Sequence, residues 1–127
     1  MEGISIHCQL DNINVSRFHG ATSGEAQLTW YAKPRQSLKG RAVILFDDIL
    51  DAGITLSCLR DFCLEQGAKN VASAVLINRV QARESNLIQK PDYVGFELDQ
   101  PEFLIGYGLD YQGYFRNLPD IRRVIQK

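Results

Sequence analysis

Basic excess is missing from this chain. Its 127 residues carry 14 Lys and Arg against 15 Asp and Glu, a net charge of -1. No broad positive field exists to attract a nucleic-acid backbone, so a nucleic-acid partner is not expected. Long apolar runs are missing too. No stretch approaches the roughly 18 residues a membrane span needs, so no membrane partner is expected. The start, Met1-Glu-Gly-Ile-Ser-Ile-His7, has no basic segment leading into an apolar one, so no secretion signal is expected. Cysteines are few: Cys8, Cys58 and Cys63. An odd count without metal-ligand spacing suits reduced thiols in a cytoplasm. Cys58 and Cys63 fall on different faces of an expected helix and read as small core or boundary residues. Neither repeats nor low-complexity segments occur.

What remains is ordinary globular material, 45% hydrophobic and of one-domain length, read as a single domain over 1–127. Residues 8–18 partly alternate and predict a strand, and Gln27–Tyr31 could return as the second arm of a hairpin. Between them lies His19-Gly-Ala-Thr-Ser-Gly24, a run of small and polar residues that predicts a loop. Residues 42–47 predict a buried strand. Leu56, Leu59, Phe62 and Cys63 recur at helical spacing and predict a helix from about Thr55 to Gln66, with Gly67 as its left-handed stop. Further strands are expected at Asn70–Ile77, Tyr93–Leu98 and Phe103–Tyr107. Strand–helix–strand order with apolar strands points to an α/β fold, a parallel sheet with flanking helices. Ligands of such sheets bind beyond the carboxyl ends of the strands.

The segment Val43-Ile-Leu-Phe-Asp-Asp-Ile-Leu-Asp-Ala-Gly-Ile-Thr55 stands at that edge. A strand that enters a small-residue loop and then a helix start is built to hold a phosphate. Backbone amides from Asp51 through Ala52, Gly53 and Ile54 to Thr55, with the Thr55 hydroxyl, can surround one. Carboxylates beside such a cradle would repel the anion unless they had another task. Sugar hydroxyls and a divalent cation supply it. Asp47 and Asp48 are consecutive on a strand, so alternation sends them to opposite faces. Asp110 lies in Gly106-Tyr-Gly-Leu-Asp-Tyr-Gln-Gly-Tyr-Phe-Arg-Asn117 and, taken alone, reads most simply as a helix cap. With oxygen ligands only, any metal would be hard, Mg²⁺ first.

Two segments resemble a known family. Val43–Thr55 resembles the phosphoribosyl-pyrophosphate (PRPP) motif of type I phosphoribosyltransferases. Lys90-Pro-Asp-Tyr-Val-Gly-Phe-Glu97, followed by Phe103-Leu-Ile-Gly-Tyr-Gly-Leu-Asp-Tyr-Gln-Gly-Tyr-Phe-Arg116, resembles the C-terminal part of hypoxanthine(-guanine) phosphoribosyltransferases. The resemblance implies a purine-salvage glycosyltransferase: a 5-phosphoribosyl group passes from PRPP to hypoxanthine or guanine, with Mg²⁺, giving IMP or GMP and pyrophosphate. It implies Asp47 and Asp48 at the ribose hydroxyls and Mg²⁺, Asp51 beside N7 of the base as acid or base, and Ala52, Gly53, Ile54 and Thr55 around the 5′-phosphate. It implies Phe103 stacked on the base, the Leu104 backbone at its edge, Asp110 as a Mg²⁺ ligand and Arg116 facing pyrophosphate. A hood segment over about 90–121 would bind the purine, and a mobile loop over about 17–26 would close on PRPP.

Departures from the family pattern are expected as well. Its Ser-Tyr pair in the mobile loop falls on Arg17-Phe18, and its lysine toward the exocyclic oxygen of the base falls on Arg79. Its first strand and pyrophosphate loop have no match before Cys8, so the core reads as N-terminally shortened. An alternative is therefore a non-catalytic PRPP- or nucleotide-binding regulatory or structural module. Aromatic residues toward the C-terminus offer contact surface for a homo-oligomer. Phe103 could instead be core, and Arg116 a surface charge beside Asp120. His7 and His19 match no role.

Overall fold

The structure is a computed structural model that describes residues 3–17, 28–80, 90–100 and 102–125. Its elements run β1 (Asn14–Arg17), β2 (Leu28–Ala32), β3 (Ala42–Leu50), α1 (Ile54–Glu65), β4 (Asn70–Arg79), β5 (Tyr93–Leu98), β6 (Phe103–Ile105) and β7 (Arg122–Val124). The central sheet has the order β3-β4-β5, and both pairings are parallel. The fold is α/β, as the strand–helix–strand order requires. Among the described residues one α-helix, α1, serves it.

Alternation along the strands decides the core. Leu45 and Val75 share one face and are buried with Leu56 and Cys63 of α1, while Val43, Val71 and Val94 pack against them; Leu50, where β3 ends, joins this core although strict alternation would turn it away. On the opposite face Ile44, Phe46 and Tyr93 are exposed, whereas Ala74 of the middle strand is buried. Helix α1 begins behind Gly53, which takes φ 79, and stops at Gln66, where Gly67 turns left-handed at φ 85. A residue with a Cβ resists both conformations.

Several boundaries differ from the sequence expectation. β3 runs on past Asp47 and Asp48 to Leu50, because Ile49 and Leu50 continue the register opposite Ile77 and Asn78. β1 begins only at Asn14. Before it, the Asp11 carboxylate accepts the backbone N–H groups of Arg35 and Gln36 at 2.7 and 2.8 Å, so a side chain replaces the ladder there. β1 and β2 do form the expected antiparallel hairpin, with an irregular register at Asn14 and Val15. β6 is shorter than expected and pairs antiparallel with β7, a strand not foreseen. Of the loop expected at 17–26, all but Arg17 lies outside the described residues, as does His19.

Candidate active site

The acidic run sits on the edge strand of the described sheet. Asp47 continues the face of Val43 and Leu45, and Asp48 the face of Ile44 and Phe46, as strand alternation dictates. Each carboxylate folds back onto the chain: Asp47 Oδ1 accepts the Asp48 N–H at 3.0 Å, and Asp48 Oδ1 accepts the Ile49 N–H at 2.7 Å. Desolvation pushes the Asp47 carboxyl up to about 6, and the adjacent Asp48 charge adds to it, although Asp47 keeps one side open to solvent. Two neighbouring carboxylates that resist joint ionisation form a place where a cation is favoured.

After Leu50 the chain turns through Asp51, Ala52 and Gly53 into α1. Among the described residues no side chain caps the helix. The Gly53 carbonyl accepts the Ser57 N–H at 3.0 Å, which closes the first turn. The earlier amides of a helix have no partner within it and, with the helix dipole, present a positive rim suited to a phosphate. Gly53 and Ile54 are buried, Ala52 and Thr55 half-buried, and Asp51 exposed.

Arg79 ends β4 and reaches toward this turn. Its Nη1 lies 3.6 Å from Asp51 Oδ2, and its Nη2 donates to the Glu102 carbonyl at 2.8 Å. Its Nε is buried and has no hydrogen-bond partner among the described residues. Glu102 leads directly into β6, where Phe103 and Leu104 stand. The Phe103 ring is not core: it is 45% exposed and meets Tyr111 edge to face, with centroids 5.3 Å apart. An open face remains for a flat ligand.

The segment after β6 folds into two tight turns. Gly106 and Leu109 exchange backbone hydrogen bonds, as do Tyr111 and Tyr114. The chain tolerates left-handed conformations at Tyr107, Gln112 and Phe115 to do so. These turns bring Arg116 against Asp110 at 2.8 Å, and Arg116 Nη1 donates to the Gly108 carbonyl at 2.7 Å. Asp110 Oδ2 accepts the Gly113 N–H at 2.6 Å. The contact of Arg116 with Asp120 is not made; Asp120 pairs with Arg122. The helix-cap reading of Asp110 fails as well, since no helix follows it.

Thus the structure gathers Asp51, Ala52, Gly53, Ile54 and Thr55 in one turn and joins Arg79 to it. Asp47 and Asp48 precede that turn. Asp110 and Arg116 form a pair of their own. Among the described residues no three His, Cys, Asp or Glu side chains converge as a metal cluster, so Asp47, Asp48 and Asp110 do not meet as one ligand set. A hard cation here would fit only with oxygens from substrate and water completing its shell. Glu102 escaped the sequence reading, because its contribution is a backbone carbonyl that no residue type advertises.

Fold and site together define a class: a parallel α/β sheet whose acidic strand gives way to a helix through a small-residue turn, with carboxylates beside that turn. Residues 4–112 match the family model described as the phosphoribosyl transferase domain. The chain belongs to that family. It is 37% identical over 118 residues to the hypoxanthine-guanine phosphoribosyltransferase of Streptococcus pneumoniae, covering 93% of this chain and 64% of that protein. Its counterpart from Lactococcus lactis is 35% identical, with 91% of this chain and 61% of that protein covered. Among solved structures, a hypoxanthine phosphoribosyltransferase from Staphylococcus aureus superposes with a TM-score of 0.85 at 27% identity, covering 95% of this chain and 64% of that one. The chain therefore spans somewhat under two thirds of the length of these relatives.

Proposed function

We propose that this chain carries the PRPP- and purine-binding machinery of a hypoxanthine-guanine phosphoribosyltransferase, acting in purine salvage. The observation that carries the reading is the uncapped start of α1 behind Gly53, directly preceded by Asp47, Asp48 and Asp51. The 5′-phosphate sits on the amides of Ala52, Gly53, Ile54 and Thr55. Asp47 and Asp48 take the ribose hydroxyls, and the Asp51 carboxylate fixes or moves the proton at N7 of the base. Phe103 stacks on the base, the Leu104 backbone meets its edge, and Arg79 faces its exocyclic oxygen. Support for Arg79 is its place at the end of β4, with its guanidinium between Asp51 and the Glu102 carbonyl that leads into Phe103.

Mg²⁺ is the cofactor this reading expects, held by Asp47 and Asp48 together with substrate oxygens, and by Asp110. When bound it offsets the charge of the departing pyrophosphate. Arg116 adds a fixed positive charge to the same end. Asp110 and Arg116 hold each other in the structure, so each meets substrate by exchanging part of that ion pair. The reading includes a cytoplasmic location and a homo-oligomer; exposed Tyr107, Tyr114 and Phe115 supply apolar contact surface for the latter.

The test is direct. Purified chain is mixed with PRPP, Mg²⁺ and hypoxanthine or guanine, and IMP or GMP is measured by chromatography. Nucleotide formation that vanishes without Mg²⁺ supports the reading. Saturable PRPP binding with no product would instead favour the non-catalytic module.

A further inference from the structure

We propose that Arg79 is a positioning residue that couples the acidic turn after β3 to the strand presenting Phe103 and Leu104. This deepens the proposed function and rests on it for its kinetic consequences. Arg79 is the last residue of β4, opposite Leu98 of β5, so the central sheet fixes its backbone. One arm of its guanidinium lies 3.6 Å from Asp51 Oδ2, and the other donates to the Glu102 carbonyl at 2.8 Å. The two acceptors are 51 residues apart in sequence yet share one planar group.

Glu102 is gripped from both ends. Its carbonyl is held by β4 through Arg79, and its carboxylate accepts the Arg123 Nη1 at 2.6 Å. Arg123 stands opposite Leu104 in the β6–β7 pairing. A continuous polar chain therefore runs Asp51–Arg79–Glu102–Arg123. It leads from the carboxylate assigned to the base proton to the strand assigned to the base ring. The Arg79 side chain is 21% exposed and Asp51 56%. The charge pair alone is weak at that exposure, and the carbonyl contact anchors the fork. A lysine cannot replace it, because one ammonium lacks a rigid fork that spans both acceptors.

The base then meets a site in which its proton-handling carboxylate and its stacking strand are set by one side chain. A residue that only touched the exocyclic oxygen would have no such reach.

Arg79→Lys and Arg79→Met, made in the full chain, test this with two readouts. Amide hydrogen exchange, followed by mass spectrometry, should accelerate in segments 50–53 and 102–105 in both variants, while 56–65 and 70–77 keep their protection. In the nucleotide-forming assay, kcat/KM for hypoxanthine should fall by about tenfold or more, and the KM for PRPP should stay within about twofold. Arg79→Lys should not restore the loss. Unchanged exchange in both segments would overturn the proposal, leaving Arg79 a contact to the base alone. A rise in exchange spread across the whole sheet would overturn it as well, since that marks general destabilisation. Should the parent chain make no nucleotide, the catalytic reading fails, and the exchange comparison still decides the coupling.

Discussion

Trp30 lies against Phe62, with ring centroids 4.5 Å apart and planes tilted by 48°. One ring belongs to the β1–β2 hairpin and the other to α1, so this pair docks the hairpin on the helix that starts behind Gly53. Lys33 Nζ sits 5.5 Å from the Trp30 ring centroid on the same hairpin. Trp30→Ala should lower stability by about 2 kcal/mol, less than a fully buried ring would, because both rings are half-buried. Urea unfolding should show a lower midpoint with an unchanged slope. A midpoint within error of the parent would mean the hairpin is not held there.

Gly106 turns the chain at φ +87, where a Cβ would stand 2.1 Å from the Asp120 carbonyl oxygen and 3.0 Å from Leu118 Cβ. Gly106→Ala therefore pays twice, in backbone conformation and in overlap. The expected result is loss of purine binding by calorimetry while far-UV circular dichroism of the central sheet and helix persists. Retained binding would show that the turns after β6 do not organise the base site.

Asp92 ties β5 to β4: its carboxylate accepts the Ser73 N–H at 2.8 Å and the Ser73 hydroxyl at 3.1 Å. These hydrogen bonds hold its carboxyl below the usual value of 3.8. A lowered native pKa means the unfolded chain binds the proton more readily. The contribution is thus present above the unfolded value and is lost as pH falls through the native one. Asp92→Asn removes this titration, so stability measured by urea should depend less steeply on pH below about 4. An unchanged acid slope would remove Asp92 from the account.

Arg116 binds both the Asp110 carboxylate and the Gly108 carbonyl, a pairing that suits a fork and not a point charge. Arg116→Lys should reduce kcat by about tenfold, with a smaller change in KM for the base. Asp110→Asn should free the arginine and lower kcat too. If both variants turn over like the parent, the pair is structural only.

The central sheet and α1 were legible because their signals are local. The apolar runs of β3, β4 and β5 and the helical spacing of Leu56, Leu59, Phe62 and Cys63 state their own periods. The turn into α1 was legible for the same reason, since Gly53 and the small residues beside it announce a tight entry to a helix. What stayed hidden depends on pairing between distant residues. β3 outlasts its apolar run because Ile49 and Leu50 find partners beyond the two acidic residues. β7 is Arg-Arg-Val, whose composition promises no strand; only β6 makes it one. The pairing of Arg116 with Asp110 rather than Asp120 follows from two turns that use left-handed Tyr107, Gln112 and Phe115, which nothing in those residue types reveals. The fork of Arg79 is hidden likewise, because one acceptor is a carbonyl.

The most direct test is a crystal structure of the chain grown with GMP. The nucleotide phosphate is expected on the backbone amides of residues 52–55, the ribose hydroxyls at Asp47 and Asp48, and the guanine ring on Phe103. A phosphate seated away from the start of α1, with these amides bonded only to water, would contradict that placement.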